Sequence, residues 1–427
     1  MALPSNLLFK FLLLVSVSSC MRPIAYSWKR GDSKELLTRR LNDTHERMKV
    51  DKLDAILVTT EQNVRYFTGY HSAFWLSPTR PWYVVVPAGS RPIAVVPTIG
   101  EDIFQNMKQN GIIEDFITWP SPRPEDDGVS DLVAVLKRLP IDFGRVGAEM
   151  GNHMTLRMPI LDFMNLTQQL QSVDLEMVDA SNTILKARLV KSAEEIAKIN
   201  ASCQAQSAAS AEVPSMLRAG MTEAETCVLV KRLLLEKGVD DTPYVVCKSG
   251  AGAYANIIEH PSDRTLQYGD MLILDMGSQV DGYHCDFNRN FAVGAPSEEA
   301  NATYELVWQA IDDALNMLKP GVRYKDIYNV MATRLNLETG GGVGRMGHSV
   351  GLQLTEWPSI HSASAEFVEE GHVISIEPSL SLAPGDPRFV VLEECVEITK
   401  AGYRLLSIRA PRTIPVVRAD ENCETTD

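Results

Sequence analysis

Four carboxylates and one imidazole in the last third of the chain have the make-up of a divalent-metal site: Asp275, Asp286, His348, Glu377 and Glu393. The aspartates lie eleven residues apart in DMGSQVDGYHCDFNR, the histidine follows in GRMGHSVGLQLTE, and the glutamates sit in SIEPSL and LEECVEIT. Oxygen ligands with one imidazole suit two divalent cations, which can hold and acidify a water for attack on a polarised carbonyl. Each residue alone has a plainer reading. Paired acids are common on exposed hairpins, and a lone histidine after the run GGGVGRMG is more often structural. Glu377 and Glu393 resist that reading, because VISIEPSL and FVVLEECVEIT are apolar runs in which a buried acid is costly without a cation.

The local pattern predicts how these residues are carried. Asp275 ends the apolar strand MLILD, the chain turns around Val280-Asp281-Gly282, and it returns as YHCDFNRNFAVG. A hairpin with its turn near residue 281 brings Asp275 and Asp286 close together on paired strands. Two adjacent carboxylates repel strongly unless protonated or bound to cations. Side-chain alternation predicts that Cys285 points away from Asp286 while His284 shares its face, which makes His284 a candidate pocket residue. Glu377 reads as the end of a strand stopped by Pro378, and Glu393 as the interior of another.

The remaining chain supplies the frame. From Ser33 to about Leu185 helical and strand patterns alternate, from SKELLTRRLNDTHERMKVDKL as helix and AILVTT as buried strand to IEDFITW and SDLVAVLKRL. PWYVVV and PIAVVP are strands separated by Ala88-Gly89-Ser90. From Arg188 onward, SAEEIAK opens a helix with a capping box, Thr222 opens another that stops at Gly238, and two more helices follow the aspartate hairpin. The chain is therefore expected to be α/β (α+β), with an N-terminal mixed-sheet domain over 33–187, a second domain over 188–412 and a tail over 413–427.

At 427 residues two domains are the prior expectation. A net charge of −14 argues against a nucleic-acid surface, which needs clustered Lys and Arg. No apolar run after the leader reaches membrane-spanning length. The seven cysteines are an odd number without a CxxC pair, which reads as reduced, mostly buried thiols. Residues 1–25 read either as a secretory signal, with the run FLLLVSVSS, or as an N-terminal extension, so cytoplasmic and secreted locations both stand. The triplets at Asn42, Asn165 and Asn301 would be glycosylated only after secretion.

The ordered motifs are similar to those of the M24 metallopeptidase family, the pita-bread fold of methionine aminopeptidase, aminopeptidase P, prolidase and creatinase. The resemblance rests on Asp-x-Gly-(x)4-Gly-Tyr-x-x-Asp at 275–286, Gly-His-(x)2-Gly-Leu at 347–352, Ile-Glu-Pro at 376–378 and Leu-Glu-Glu at 392–394. It spans about 188–410, and the N-terminal half resembles the smaller creatinase-type domain. It implies two divalent ions (Mn, Fe, Co or Zn), with Asp275 on one, His348 and Glu377 on the other, and Asp286 and Glu393 bridging. It also implies a homodimer in which the partner's small domain helps to close the site. The loop YHSAFWLSPTRPWY, with Phe74, Trp75, Arg80 and Trp82, is the candidate wall that grips an apolar group and a carboxylate.

The substrate shell departs from the family pattern. Thr355 stands where the peptidases carry a second histidine seven residues after the ligand histidine, Ile258 where they carry another, and Val391 where an arginine is frequent. His260 and Glu259 lie close enough to Ile258 for a small shift to bring either inward. Glu356, beside Thr355, is a candidate acid or base, with a surface glutamate as its plainer reading. The expected activity is cleavage of a C–N amide bond in a dipeptide, an Xaa-Pro peptide or a small non-peptide amide. Two alternatives are a metal-dependent lyase of the dimethylsulfoniopropionate type and a non-catalytic binding protein. The lyases carry an extra aspartate at the position of Gly277, and binding relatives generally lose ligands, whereas all five are present here.

Overall fold

A computed structural model describes residues 30–77, 80–337 and 344–417; residues 1–25 of the leader lie outside the described residues. The N-terminal half is built on one six-stranded mixed sheet. Its strands run in the order Asp115–Trp119, Ile93–Pro97, Tyr83–Pro87, Ala55–Val58, Arg145–Ala148 and Glu176–Asp179. Tyr83–Pro87 pairs antiparallel with both neighbours, while the outer pairings are parallel. The three central strands are buried along their whole length, as Val-rich strands covered by helices on both faces should be. Helix Lys34–Asp51 starts at Ser33, whose side chain accepts from the Leu36 N–H. Helices Glu61–Thr68, Ile160–Gln171 and Ser181–Leu189 also form, in segments to which periodicity had assigned no element.

The C-terminal half holds two sheets. One orders Val416–Val417, Phe287–Val293, Asp270–Val280 and Asp241–Ala251; the other orders Glu356–Ser359, Gly347–Ser349, Val373–Ile376, Glu394–Thr399 and Gly402–Leu405. Helices Ala193–Met216 and Glu223–Glu236, both opened by capping boxes, share a core with Leu272, Leu274 and Met276 of the first sheet. Helices Glu298–Met317 and Tyr324–Arg334 share a core with Ile374, Ile376, Val396 and Ile398 of the second. Alternation along Asp270–Val280 therefore turns Asp275 away from the first helix pair. The segment predicted as a tail from 413 adds a short strand, Val416–Val417, parallel to Ala292–Val293.

The two halves share one hydrophobic cluster, which joins Leu41, Val64 and Trp82 to Ile199, Tyr283, Phe287 and Cys395. Buried charges cross the same boundary. Asp32 pairs with Arg40 at 2.9 Å and with Lys198 at 2.7 Å, and Lys198 reaches Asp281 at 2.9 Å. Arg65 also holds Asp281, at 3.1 Å. The tip of the aspartate hairpin is thus anchored on the N-terminal half.

Candidate metal centre

The aspartate hairpin forms as its sequence predicts. Asp281 and Gly282 both have positive φ, 47° and 72°, the backbone that an Asp-Gly two-residue hairpin turn requires. The same register holds on either side of residues 285 and 286, from Val280↔Tyr283 and Gln279↔His284 to Met276↔Phe287 and Asp275↔Asn288. That register sets Asp286 opposite Gly277, diagonal to Asp275 and on the same face. Cys285 lies in the core with its sulfur among Ser202, Gln206 and Ser278, on the opposite side from Asp286.

Glu377 stands at the end of its strand before Pro378, as predicted, whereas Glu393 is carried differently from the prediction. Glu377 follows strand Val373–Ile376 and Glu393 precedes strand Glu394–Thr399, so each sits at a break rather than inside a strand. Ile376 pairs with Glu394 before the break and Ser379 with Val391 after it. The same register carried across the break puts 377 opposite 393. Both strands bend there to leave one sheet for a two-stranded ribbon, and the bend turns the two acids toward the aspartates.

Asp286, His348 and Glu393 each offer a ligand atom, all within 4.8 Å of one another. His348 Nε2 lies 3.4 Å from Asp286 and 3.7 Å from Glu377. His348 Nδ1 is 2.9 Å from the carbonyl of Ser349, a contact that needs a proton on Nδ1 and leaves the Nε2 lone pair facing the carboxylates. Ser375 donates to Glu393 Oε1, Asn288 approaches its other oxygen at 3.4 Å, and the Tyr244 hydroxyl donates to Asp275 Oδ2 at 3.2 Å. Asp275 Oδ1 and Glu377 Oε1 are buried without a hydrogen bond.

The electrostatics call for cations. Burial lifts the Asp275 carboxyl to about 6, against the hydrogen bond from Tyr244. Burial and then the neighbouring carboxylates push Asp286 and Glu393 well above the usual range, and burial raises Glu377 as well. Burial depresses His348, which keeps its imidazole neutral. A neutral imidazole, four crowded carboxylates and two orphaned oxygens fit divalent ions, whose charge would reverse these shifts.

Around this cluster the other predicted residues divide. Thr355 and His284 line a cleft of about 990 Å³ between the two halves, together with Trp75, Gln279, Leu352 and Leu354. His284 is buried, held neutral by a pKa pushed down to about 4, and its Nδ1 has no partner. Phe74 and Arg80 face one another, with the guanidinium 5.4 Å from the ring centre, and Trp75 packs on Tyr70 and Trp82. His260 and Glu259 are exposed with Ile258, because the Asn256 side chain caps the N–H groups of Ile258 and Glu259 and holds this loop outward. Glu356 is neither at the surface nor free to exchange protons. Arg188 and Lys191, the latter at 3.0 Å, hold it buried and ionised, with its pKa pulled down to about 2 despite burial.

Sequence reasoning missed Tyr244, Ser375, Asn288 and Arg345, which contact the five residues. Asn288 could have been found from the hairpin register, and Ser375 and Arg345 lie within three residues of Glu377 and His348 in the segments already singled out; Tyr244 comes from a separate strand and carried no local signal. Among the described residues no helix is long and apolar enough to cross a membrane, and five cysteines are free and buried.

Comparison with known proteins agrees with this geometry. The family description "Metallopeptidase family M24" matches residues 197–400, and "Creatinase/Prolidase N-terminal domain" matches 40–190. The Xaa-Pro dipeptidase of Pyrococcus horikoshii is 25% identical over 381 residues, covering 87% of this chain and 98% of its own. The dipeptidase PepE of Mycobacterium ulcerans superposes with a TM-score of 0.77 at 23% identity, over 91% of this chain and 100% of that one. A prolidase from Thermococcus sibiricus gives 0.77 at 22% identity, over 89% and 99%. The chain therefore belongs to metallopeptidase family M24 and is a metal-dependent hydrolase with the prolidase-like arrangement of a creatinase-type N-terminal part and a pita-bread catalytic part.

Proposed function

We propose that two divalent ions bind at Asp275, Asp286, His348, Glu377 and Glu393, and that the enzyme cleaves a C–N amide bond in a small peptide-like substrate. Xaa-Pro peptides and related small amides are the substrate class, in keeping with the name of the Pyrococcus horikoshii relative. The observation that carries this reading is the gathering of Asp286, Glu393 and the neutral imidazole of His348 within 4.8 Å, with Glu377 3.7 Å from that imidazole and one buried oxygen of Asp275 left without a hydrogen bond. Asp275 would serve one ion, His348 and Glu377 the other, and Asp286 and Glu393 both. The donor set suits Mn, Fe, Co or Zn. When bound, such ions supply a Lewis acid for the carbonyl and a nucleophile at neutral pH.

The chain's own residues would do the rest. The Ser349 carbonyl fixes the His348 tautomer, while Tyr244 and Ser375 aim the Asp275 and Glu393 carboxylates. Thr355 presents a neutral hydroxyl and His284 a neutral imidazole to the cleft, in place of a charged donor. We place the domain boundary at residues 187/188 and take the assembly to be a homodimer, which light scattering would check.

The deciding experiment is metal analysis followed by an activity screen of the Mn- and Fe-loaded protein. Xaa-Pro dipeptides, N-acyl amino acids and small cyclic amides belong in the screen. About two ions per chain and release of an amine are expected. Full activity of the metal-free protein, or no turnover of any amide by the loaded one, would overturn the reading.

A further inference from the structure

The sheet that carries the aspartates continues past them toward the hairpin tip. Its register pairs Asp241 with Gln279 and Gln279 with His284, which lines up these side chains across three neighbouring strands. Alternation keeps the row on the face of Asp275, Gly277 and Asp286. At the rise of a β-strand the row lies roughly 7 Å beyond Gly277 and roughly 13 Å beyond Asp275. All three residues line the cleft between the halves, where Trp75, Leu352 and Leu354 supply apolar wall and Glu61 enters from the N-terminal half.

The row is chemically incomplete. His284 is 8% exposed and its Nδ1 has no hydrogen-bond partner, while its Nε2 lies 2.6 Å from the Gln279 side-chain amide. A half-turn of that amide lets Gln279 accept from Nε2–H and leaves Nδ1 as a lone pair. Asp241 accepts from the Thr242 N–H at 2.7 Å, and among the described residues no Lys or Arg is within ion-pair distance of it. Glu61 has the His71 imidazole at 3.0 Å. The nearby Arg157 is engaged elsewhere, stacked 4.9 Å from the Trp75 ring centre and donating to the carbonyls of Trp75 and Ser77. The other acids of the cleft are matched, Asp240 with Arg30 and Asp281 with Arg65 and Lys198.

Two carboxylates without a Lys or Arg partner, a ring nitrogen and apolar walls are complementary to a side chain with an apolar stem and a cationic end. We propose that the row Asp241–Gln279–His284, together with Glu61, is a subsite for that end. The enzyme then prefers substrates with arginine or lysine beside the scissile bond. This rests on the reading of the five-residue cluster as the catalytic centre.

The test joins a binding measurement to a kinetic one. Calorimetry compares p-aminobenzamidine, an amidinium, with its neutral counterpart p-aminobenzamide on the Mn-loaded protein, and hydrolysis compares Lys-Pro with Leu-Pro. The wild type is expected to favour the cation roughly 5- to 30-fold in both at low salt, and raised salt should shrink the preference. Asp241→Asn and Glu61→Gln should each lose part of it and the double variant nearly all, at unchanged metal content. Asp241→Glu should keep most of it. Equal binding of the two ligands by the wild type would overturn the proposal, as would a preference that survives in the double variant or equal kcat/KM for the two dipeptides. Amidinium preference with no cleavage of either dipeptide would support the subsite and count against the peptidase reading alone.

Discussion

Leu354 occupies the space that a side chain on Gly277 would need: a Cβ built there would stand 2.1 Å from Leu354 Cδ1. Gly277 faces Tyr244 on one neighbouring strand, and the hairpin register sets it opposite Asp286 on the other. The missing side chain is thus a condition for seating the cleft loop of residues 351–355 against the ligand strands. A carboxylate at 277, as in the lyase pattern, would first require the Leu354 side chain to move.

Gly277→Ala should therefore destabilise by about 1–3 kcal/mol through overpacking. Leu354→Ala should relieve most of that cost in the double variant. Denaturant unfolding of the four proteins in a cycle measures the coupling. Simple additivity of the two single effects would refute the contact.

Asp286→Asn separates stability from function. In the metal-free protein it removes one member of a crowded carboxylate group, so unfolding should need more denaturant than in wild type. With Mn or Zn in excess the order should reverse, because wild type gains binding energy that the variant lacks, about 2.7 kcal/mol at one hundred times Kd. His348→Ala should abolish turnover with the fold retained. Unchanged turnover in either variant would count against the proposed ligand set.

Glu356 is a structural carboxylate in this geometry. Glu356→Gln leaves the Arg188 and Lys191 charges buried without their partner, and a loss of roughly 3–5 kcal/mol is expected. Its pKa is held at about 2, below the 4.5 usual for a glutamate, so its contribution is complete above 4.5 and fades as pH falls from there toward 2. Wild-type stability that stays flat through that acid window would contradict the ion pairs.

His372 adds an earlier acid loss. Burial drives its pKa from 6.5 down to about 3, and its Nδ1 accepts from the Glu369 N–H while the Tyr324 hydroxyl lies 3.0 Å away. The unfolded chain takes up this proton near 6.5 and the folded one does not. Stability should therefore fall as pH drops from about 6.5 toward 3. Chemical denaturation across that range should show a shallower slope in His372→Gln than in wild type.

How much of this was legible beforehand follows the reach of the forces involved. Capping boxes at Ser192 and Thr222 and the Asp281-Gly282 turn act over three or four residues, so their outcomes could be written down from the string. The pairing of Asp275 and Asp286 follows from the same turn, because hairpin register is set locally. The residue types and order of the five candidate ligands were also readable from the string, Glu377 and Glu393 as acids that apolar runs do not otherwise tolerate and the whole set through its likeness to the family motifs.

Only the tertiary structure decided where the rest stands. Glu356 follows Thr355 in the chain, yet one is buried against Arg188 and Lys191 while the other lines the cleft. Nothing in the local string distinguishes them, because the two cations arrive from the junction of the two halves. Glu377 and Glu393 meet through a shared break in two strands, and Arg345 meets Glu377 from a separate segment. Such contacts join residues far apart in sequence, and their energies depend on burial and on charges that the fold alone brings together. Sequence determined which groups could bind metal; packing decided which of them face one another.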